Sequence, residues 1–350
     1  MNTTLAQPAA TATIADEVRN FIKDYVSLPS ESYLDILTLF VLHTHAFDAA
    51  RTTPYIYITS QGPGSGKTRV MEVMQEICRK SSFNSAMTTA TLFTMIDSRR
   101  PTLFWDEVDT IYSGAKNEEL RGVLNSGYKH NGSVPRIDKS TEDGVRDYST
   151  FCPKVLAGID NGNVPDTVLD RSIKITLERA KPGMVKPFYS EDVEELAADL
   201  QDTIRAWVQA NNDALRNREN RPAAMEGLTD RQNDMIRPLL MVADRIPGWH
   251  DRARAAFAHA FGAQETPLSP AAAALNTARE WFLMNSDADR IASRTIMDGA
   301  GINGKQLGSW MTQFGVKGGT YAIGGKNSKG YMKTELDAAF DRFLPALPNN

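Results

Sequence analysis

Eight consecutive residues, Gln61-Gly62-Pro63-Gly64-Ser65-Gly66-Lys67-Thr68, combine what is needed to hold a polyphosphate: glycines that let backbone N–H groups turn inward, an ammonium and a hydroxyl. Gly64 and Gly66 permit a tight wrap, with Gly62, Pro63 and Ser65 completing the turn. Lys67 is placed to reach the β- and γ-phosphates, and Thr68 to offer its hydroxyl to Mg²⁺. The spacing departs from GxxxxGK[ST] at its first position, where Gln61 stands and Gly62 is displaced by one. About 40 residues on, Leu103-Phe104-Trp105-Asp106-Glu107 delivers adjacent carboxylates at the end of an apolar run. Asp106 is suited to a Mg²⁺ shell and Glu107 to polarising an attacking water. The carboxylate pair alone is weak, because strand ends often turn polar. Together with the loop it points to ATP and Mg²⁺.

The elements around them have the right character. Tyr-Ile-Tyr-Ile-Thr after Pro54 predicts a strand running into the glycines, and Val70, Val73, Met74 and Ile77 predict a helix leaving them. Helices are expected over 14–25, 33–49, 90–99 and 118–128, and strands over 84–89, 102–105, 154–159 and 172–177. A polar hairpin is expected over 131–149. This alternation predicts a parallel α/β sheet with helices on both faces. From Ser190 the pattern is helical only. Ser190 is expected to cap a helix reaching Ala214, and Thr229 with Gln232 to form a capping box for a helix through Asp244. Residues 216–227 read as a loop and 264–270 as a linker with two prolines.

Composition narrows the class. Lys and Arg number 39 against 43 Asp and Glu, a net charge of −4, which argues against coating nucleic acid by bulk charge but not against local basic contacts. Apolar residues make up 41% and charged residues 23%, enough for a sizeable core. The two cysteines, Cys78 and Cys152, lack CxxC spacing, which speaks against a disulfide scaffold or a cysteine zinc site. His43 and His45 stand two residues apart, a spacing that sends them to different helix faces rather than to one metal. The first 14 residues carry no Lys or Arg, and Leu34–Leu42 is too short to span a bilayer. A cytoplasmic protein with no membrane partner is expected.

GPGSGKT followed by FWDEVD resembles the AAA+ (ASCE) branch of P-loop ATPases. Four further stretches are similar to the phage- and mobile-element family called domain of unknown function 3631: residues 117–125, 156–159, 165–172 and 227–232. The resemblance runs over about 15–260 and, less clearly, over the tail. It implies a tail at 1–14, N-terminal helices at 15–53, an ATPase core at 54–188, a helical lid at 189–263 and a further domain at 271–350. It also implies roles residue by residue. Arg171 stands where an arginine finger would reach a neighbour's ATP, with a structural Asp170–Arg171 contact as the plain alternative. Asn161, or Asp160, stands where a sensor would meet the γ-phosphate. Arg231, with Arg237 as its rival, opens a helix that would supply a second sensor to the nucleotide. A finger in trans implies a closed homo-oligomer, a hexameric ring in this class.

Two regions suggest what such a motor grips. The 131–149 hairpin offers Lys139 and Arg146, although its acids outnumber its bases. Between Arg294 and Lys333 there are six basic residues and one acid, including Lys305, Lys317, Lys326 and Lys329 around a helix followed by two strands. That pattern resembles a winged helix, with Tyr321 and Tyr331 among the lysines, and would suit single-stranded or forked DNA. Trp310 and Phe314 are expected in the core. The expectation is an ATP-hydrolysing helicase or translocase in phage or mobile-element DNA replication or repair, working with other replication proteins. The alternatives are an ATP-gated initiator or helicase loader, a protein-remodelling ATPase and an ATP-dependent defence role.

Overall fold

The computed structural model describes residues 12–60, 62, 64–84, 89–109, 118–142, 144–159, 163–181, 183–262 and 270–344. They form two compact units that divide after Gly262.

The first unit is organised by a five-stranded parallel sheet. Strands β1 (Tyr55–Ser60), β2 (Ser81–Asn84), β3 (Thr102–Trp105), β6 (Lys154–Ile159) and β7 (Ser172–Thr176) stand in the order β2-β3-β6-β1-β7. Between β3 and β6, β4 (Ser133–Ile137) and β5 (Val145–Ser149) form a separate antiparallel hairpin. The period-2 alternation of strands sends Ile56, Ile58, Val155, Ile173 and Ile175 into one core and Tyr55, Tyr57, Leu103, Trp105 and Leu156 into another. The first core is completed by α1 (Ile14–Tyr25), α2 (Glu31–Ala46), α3 (Lys67–Ile77), α7 (Ser190–Arg216), α8 (Asp230–Ala243) and α9 (Trp249–Gly262). The opposite face is covered by α4 (Thr89–Arg99), α5 (Glu118–Ser126) and α6 (Asp166–Leu169). A sheet buried on both faces explains why β1 is apolar or aromatic over most of its length.

Helices α7, α8 and α9, within the 189–263 segment expected as a lid, share the core of α1–α3 and the sheet. One clamp shows how firmly. The buried Asp35 carboxylate on α2 accepts from Arg19 of α1 at 2.7 Å and from two nitrogens of Arg252 of α9 at 2.6 and 2.7 Å. A buried carboxylate bridged in this way satisfies its oxygens and fixes three helices together.

Several local readings change. Strand β2 lies at 81–84 rather than 84–89, with Ser81 tied back to the end of α3 through the carbonyls of Gln75 and Cys78. Ser190 is the first residue of α7 rather than its cap. Its hydroxyl turns to Glu191, so the acidic first turn, not a capping bond, favours that terminus. The Thr229–Gln232 capping box forms as expected. Helix α9 has no counterpart among the expected elements, although Trp249, Ala253, Ala256, Phe257 and Ala260 bury one face at helical spacing. His43 and His45 do point apart: one meets Thr53 Oγ1 and the other the Ile77 carbonyl, each at 2.9 Å.

The second unit contains α10 (Pro270–Met284), β8 (Arg290–Ala292), α11 (Ser293–Ala300), α12 (Gly304–Gln313), β9 (Gly319–Ile323), β10 (Lys326–Met332) and α13 (Lys333–Phe343). Its three strands are antiparallel in the order β8-β10-β9, over a core that includes Leu275, Ile291, Leu307 and Leu336. The expected linker lies outside the described residues except for Pro270, which opens α10. Among the described residues no helix is long and apolar enough to cross a membrane.

Candidate nucleotide site and basic surfaces

Buried β1 delivers the chain to the glycine-rich loop at Ser60. Gly64 and Gly66 adopt φ of +75° and +93°, which a side chain would oppose, while a Cβ at either would meet nothing within 4 Å. Glycine is therefore required there for the turn, and the space above stays open. Helix α3 starts at Lys67 with no acid in its first turn, leaving its positive end unneutralised. The Lys67 ammonium donates to Ser60 Oγ at 2.6 Å and to the Gly62 carbonyl at 3.4 Å, and Ser60 Oγ donates to that carbonyl at 2.7 Å. Ser65 Oγ is buried with no hydrogen-bond partner among the described residues. A phosphate oxygen would supply what Ser65 lacks and give Lys67 an anion in place of neutral acceptors, so the residues present fit a polyphosphate. Thr68 is exposed at the start of α3. Gln61 and Pro63 lie outside the described residues.

Parallel strands bring their C-terminal ends to one edge. Tyr57, Leu156 and Trp105 are level across β1, β6 and β3, so Asp106 and Glu107 emerge on the loop's side of the sheet with only β6 between. Two strand spacings of ~4.8 Å put the two elements roughly 10 Å apart laterally, room for a metal and a phosphate chain. Asp106 Oδ1 accepts the Glu107 amide at 2.8 Å. Glu107 is exposed and held at φ +53°, an uncommon conformation for a side-chain-bearing residue. Asp109 was not singled out in the sequence, yet its buried carboxylate accepts the Ile159 amide at 3.3 Å and pins the turn to β6. Among the described residues no cluster of three or more His, Cys, Asp or Glu is placed to hold a metal. Thr68 and Asp106 are hard oxygen donors of the kind that share Mg²⁺ with phosphates and water. Asp160 and Asn161 lie outside the described residues.

The arginines stand elsewhere. The Tyr55 amide donates to the Arg171 carbonyl at 2.8 Å, so Arg171 sits where β1 begins, about 17 Å along that strand from the loop at ~3.3 Å per residue. Arg231 joins it there, donating to the Asp170 carbonyl at 3.3 Å and to the Tyr128 hydroxyl at 3.0 Å. Both guanidiniums lie over the Tyr128 ring, each 4.6 Å from its centre. Burial works to raise the Tyr128 pKa, but hydrogen bonds and charge from Lys129 and Arg231 outweigh it and hold the hydroxyl below its usual value. Arg231 therefore does not face the phosphate loop of its own chain. Its rival Arg237 is ion-paired to Asp234 at 2.8 Å, and Arg171 donates to the Thr167 carbonyl.

On the hairpin, Lys139 is exposed, whereas Arg146 is tied to Asp97 of α4 at 2.8 Å and lies over Tyr148. In the second unit Lys305, Lys317, Lys326 and Lys329 are all exposed. A groove of about 940 Å³ runs between α11, α12 and the β9–β10 ribbon, with Arg294 and Lys329 among its lining. Tyr331 lines that groove but exposes little of itself. It is buried, and burial raises its hydroxyl pKa. Trp310 and Phe314 pack against the core as expected.

Residues 177–343 match the model of the family described as "Protein of unknown function (DUF3631)". The match starts inside the expected 15–260 and continues beyond it to residue 343. It takes in α7–α9 and the second unit, and of the four similar stretches only 227–232 falls inside it. No curated protein matches. Among solved structures, "The A form apo structure of NrS-1 C terminal region-CTR" is similar at 13% identity and a TM-score of 0.45. "The A form apo structure of NrS-1 C terminal region-CTR(305-718)" is similar at 14% and 0.41. Each match covers 91% of this chain and 74% of the other.

Proposed function

We propose that the chain is a Mg²⁺-dependent ATPase of the AAA+ type that acts on DNA as a helicase or translocase. The observation that carries the reading is the joint placement of the Gly64–Lys67 turn and the Asp106–Glu107 pair at one edge of a parallel sheet, one strand apart. The loop amides and Lys67 would hold the β- and γ-phosphates, and Thr68 and Asp106 would share the metal. Mg²⁺ would neutralise charge as the β–γ bridge breaks. Glu107 would orient the attacking water and take its proton. Arg171, on the opposite edge, would act on the nucleotide of a neighbour in a homo-oligomeric ring, hexameric by resemblance.

The DNA reading draws on the second unit. A helix, a strand, two helices and a two-stranded ribbon are the parts of a winged helix, and four exposed lysines lie on α12, the ribbon and the turn between them. One observation favours the protein-remodelling alternative: Ile137 and Val145 face one another on the hairpin and are 84% and 44% exposed. An initiator or loader would use the same nucleotide site. ATPase rate measured with and without single-stranded and forked DNA, with Glu107→Gln as the blank, separates these readings. Strong stimulation by DNA is expected, and a basal rate that no DNA moves would overturn the motor.

A further inference from the structure

The edge opposite the phosphate loop carries more positive charge than one arginine. Arg171 and Arg231, each 4.6 Å from the Tyr128 ring centre, have guanidiniums within about 9 Å of each other. Their hydrogen bonds go to neutral acceptors, the carbonyls of Thr167 and Asp170 and the Tyr128 hydroxyl. Neither makes an ion pair with a carboxylate among the described residues, and Arg171 Nε is buried with no partner there. The small pocket they line shares Thr52 and Asp234 with a cleft of about 450 Å³ bordered by Arg51, Arg218, Arg221 and Arg237. Arginines outnumber the lining carboxylates Asp48, Asp170 and Asp234, and a polyphosphate would relieve that excess of like charge. This chain's own loop lies at the other end of β1.

We infer that Arg231 acts in trans beside Arg171: both guanidiniums, held by Tyr128, engage the triphosphate bound to the loop of an adjacent copy. The inference rests on the ATPase reading and deepens it. It replaces a sensor within one chain by a second arginine supplied across the interface, which makes each site depend on two cations of its neighbour.

Subunit mixing tests it. Arg231→Ala keeps its own loop, so at dilutions where copies do not associate it should bind a fluorescent ATP analogue as wild type does, and once assembled it should turn over less than a tenth as fast. Lys67→Ala binds no nucleotide but keeps both arginines. When the two variants are co-expressed with different tags and co-purified, random assembly pairs an intact loop with an intact arginine edge at about one quarter of sites. Activity should therefore rise well above that of either parent. Arg171→Ala mixed with Lys67→Ala gives the reference. Recovery there but none with Arg231→Ala, or loss of analogue binding by folded Arg231→Ala, would overturn the inference and leave the ATPase reading standing. Recovery in neither mixture also overturns it. A wild-type protein that hydrolyses no ATP overturns the reading beneath it.

Discussion

The carboxylate of Asp109 occupies the space a side chain at Gly158 would need: Oδ1 lies 2.7 Å from where a Cβ would stand. With its hydrogen bond to the Ile159 amide, this contact fixes the Asp106–Glu107 turn against β6. Gly158→Ala should push Asp109 out and let that turn shift. We expect a destabilisation of about 1–3 kcal/mol, as for overpacked cores, a fall in ATP turnover and nearly unchanged nucleotide binding. Thermal melts and steady-state ATPase rates on one preparation check this. Wild-type turnover in a folded variant would show that the contact does not position Glu107.

Glu107 is held at φ +53°. Left-handed backbone costs a side-chain-bearing residue about 1–2 kcal/mol, whereas glycine adopts it freely but loses more entropy on folding. Glu107→Gln should therefore abolish turnover without changing stability. Glu107→Gly should abolish turnover and leave stability equal or higher by up to about 1 kcal/mol. Denaturant midpoints for the two variants decide it, and a clear loss of stability in the glycine variant would refute strain at this turn.

Ser60 holds the Lys67 ammonium at 2.6 Å and bonds to the Gly62 carbonyl, so it shapes the loop before any phosphate arrives. Ser60→Ala removes about 1 kcal/mol of hydrogen bonding, close to a fivefold change in an equilibrium. ATP affinity should fall by that order, against complete loss for Lys67→Ala. Titration with a fluorescent analogue measures both, and equal losses would mean that Ser60 touches nucleotide directly.

Much of this site was legible because its chemistry is local in sequence. Gly64, Gly66 and Lys67 are three near neighbours, and an apolar run ending in two acids can hardly avoid placing Asp106 and Glu107 at a strand end. The strand order was not legible, since β6 slips between β1 and β3 only through contacts distant in sequence. The same applies to Tyr128: nothing around it predicts that residues 171 and 231 will meet on its ring. Ser190 has the residue type of a cap, but Tyr189 takes that position.

The four exposed lysines of the second unit can be separated from the hairpin by salt. Removing one lysine–phosphate pairing should make the slope of log affinity against log salt shallower by about 0.7 on single-stranded DNA. Lys326→Gln with Lys329→Gln should then reduce the slope by about 1.4. Arg146→Ala should leave it unchanged, because Asp97 already neutralises that guanidinium. Fluorescence anisotropy at several salt concentrations checks both, and a slope altered only by Arg146→Ala would move the DNA contact to the hairpin.

Acid should destabilise the first unit through His43 and His45. Burial lowers His43 from 6.5 to about 3; for His45 burial, opposed by its bond to the Ile77 carbonyl, gives about 4. Both folded values lie below the unfolded one, so as pH falls below about 6.5 the unfolded chain takes up protons that the folded chain refuses. Stability is thus lost by up to about 1.4 kcal/mol per pH unit for each ring, until its folded pKa is reached. His45→Gln keeps a donor for the Ile77 carbonyl and cannot titrate, so its stability should fall less steeply between pH 6.5 and 4. Urea midpoints across that range test this, and parallel curves for wild type and His45→Gln would show that the ring is not buried neutral.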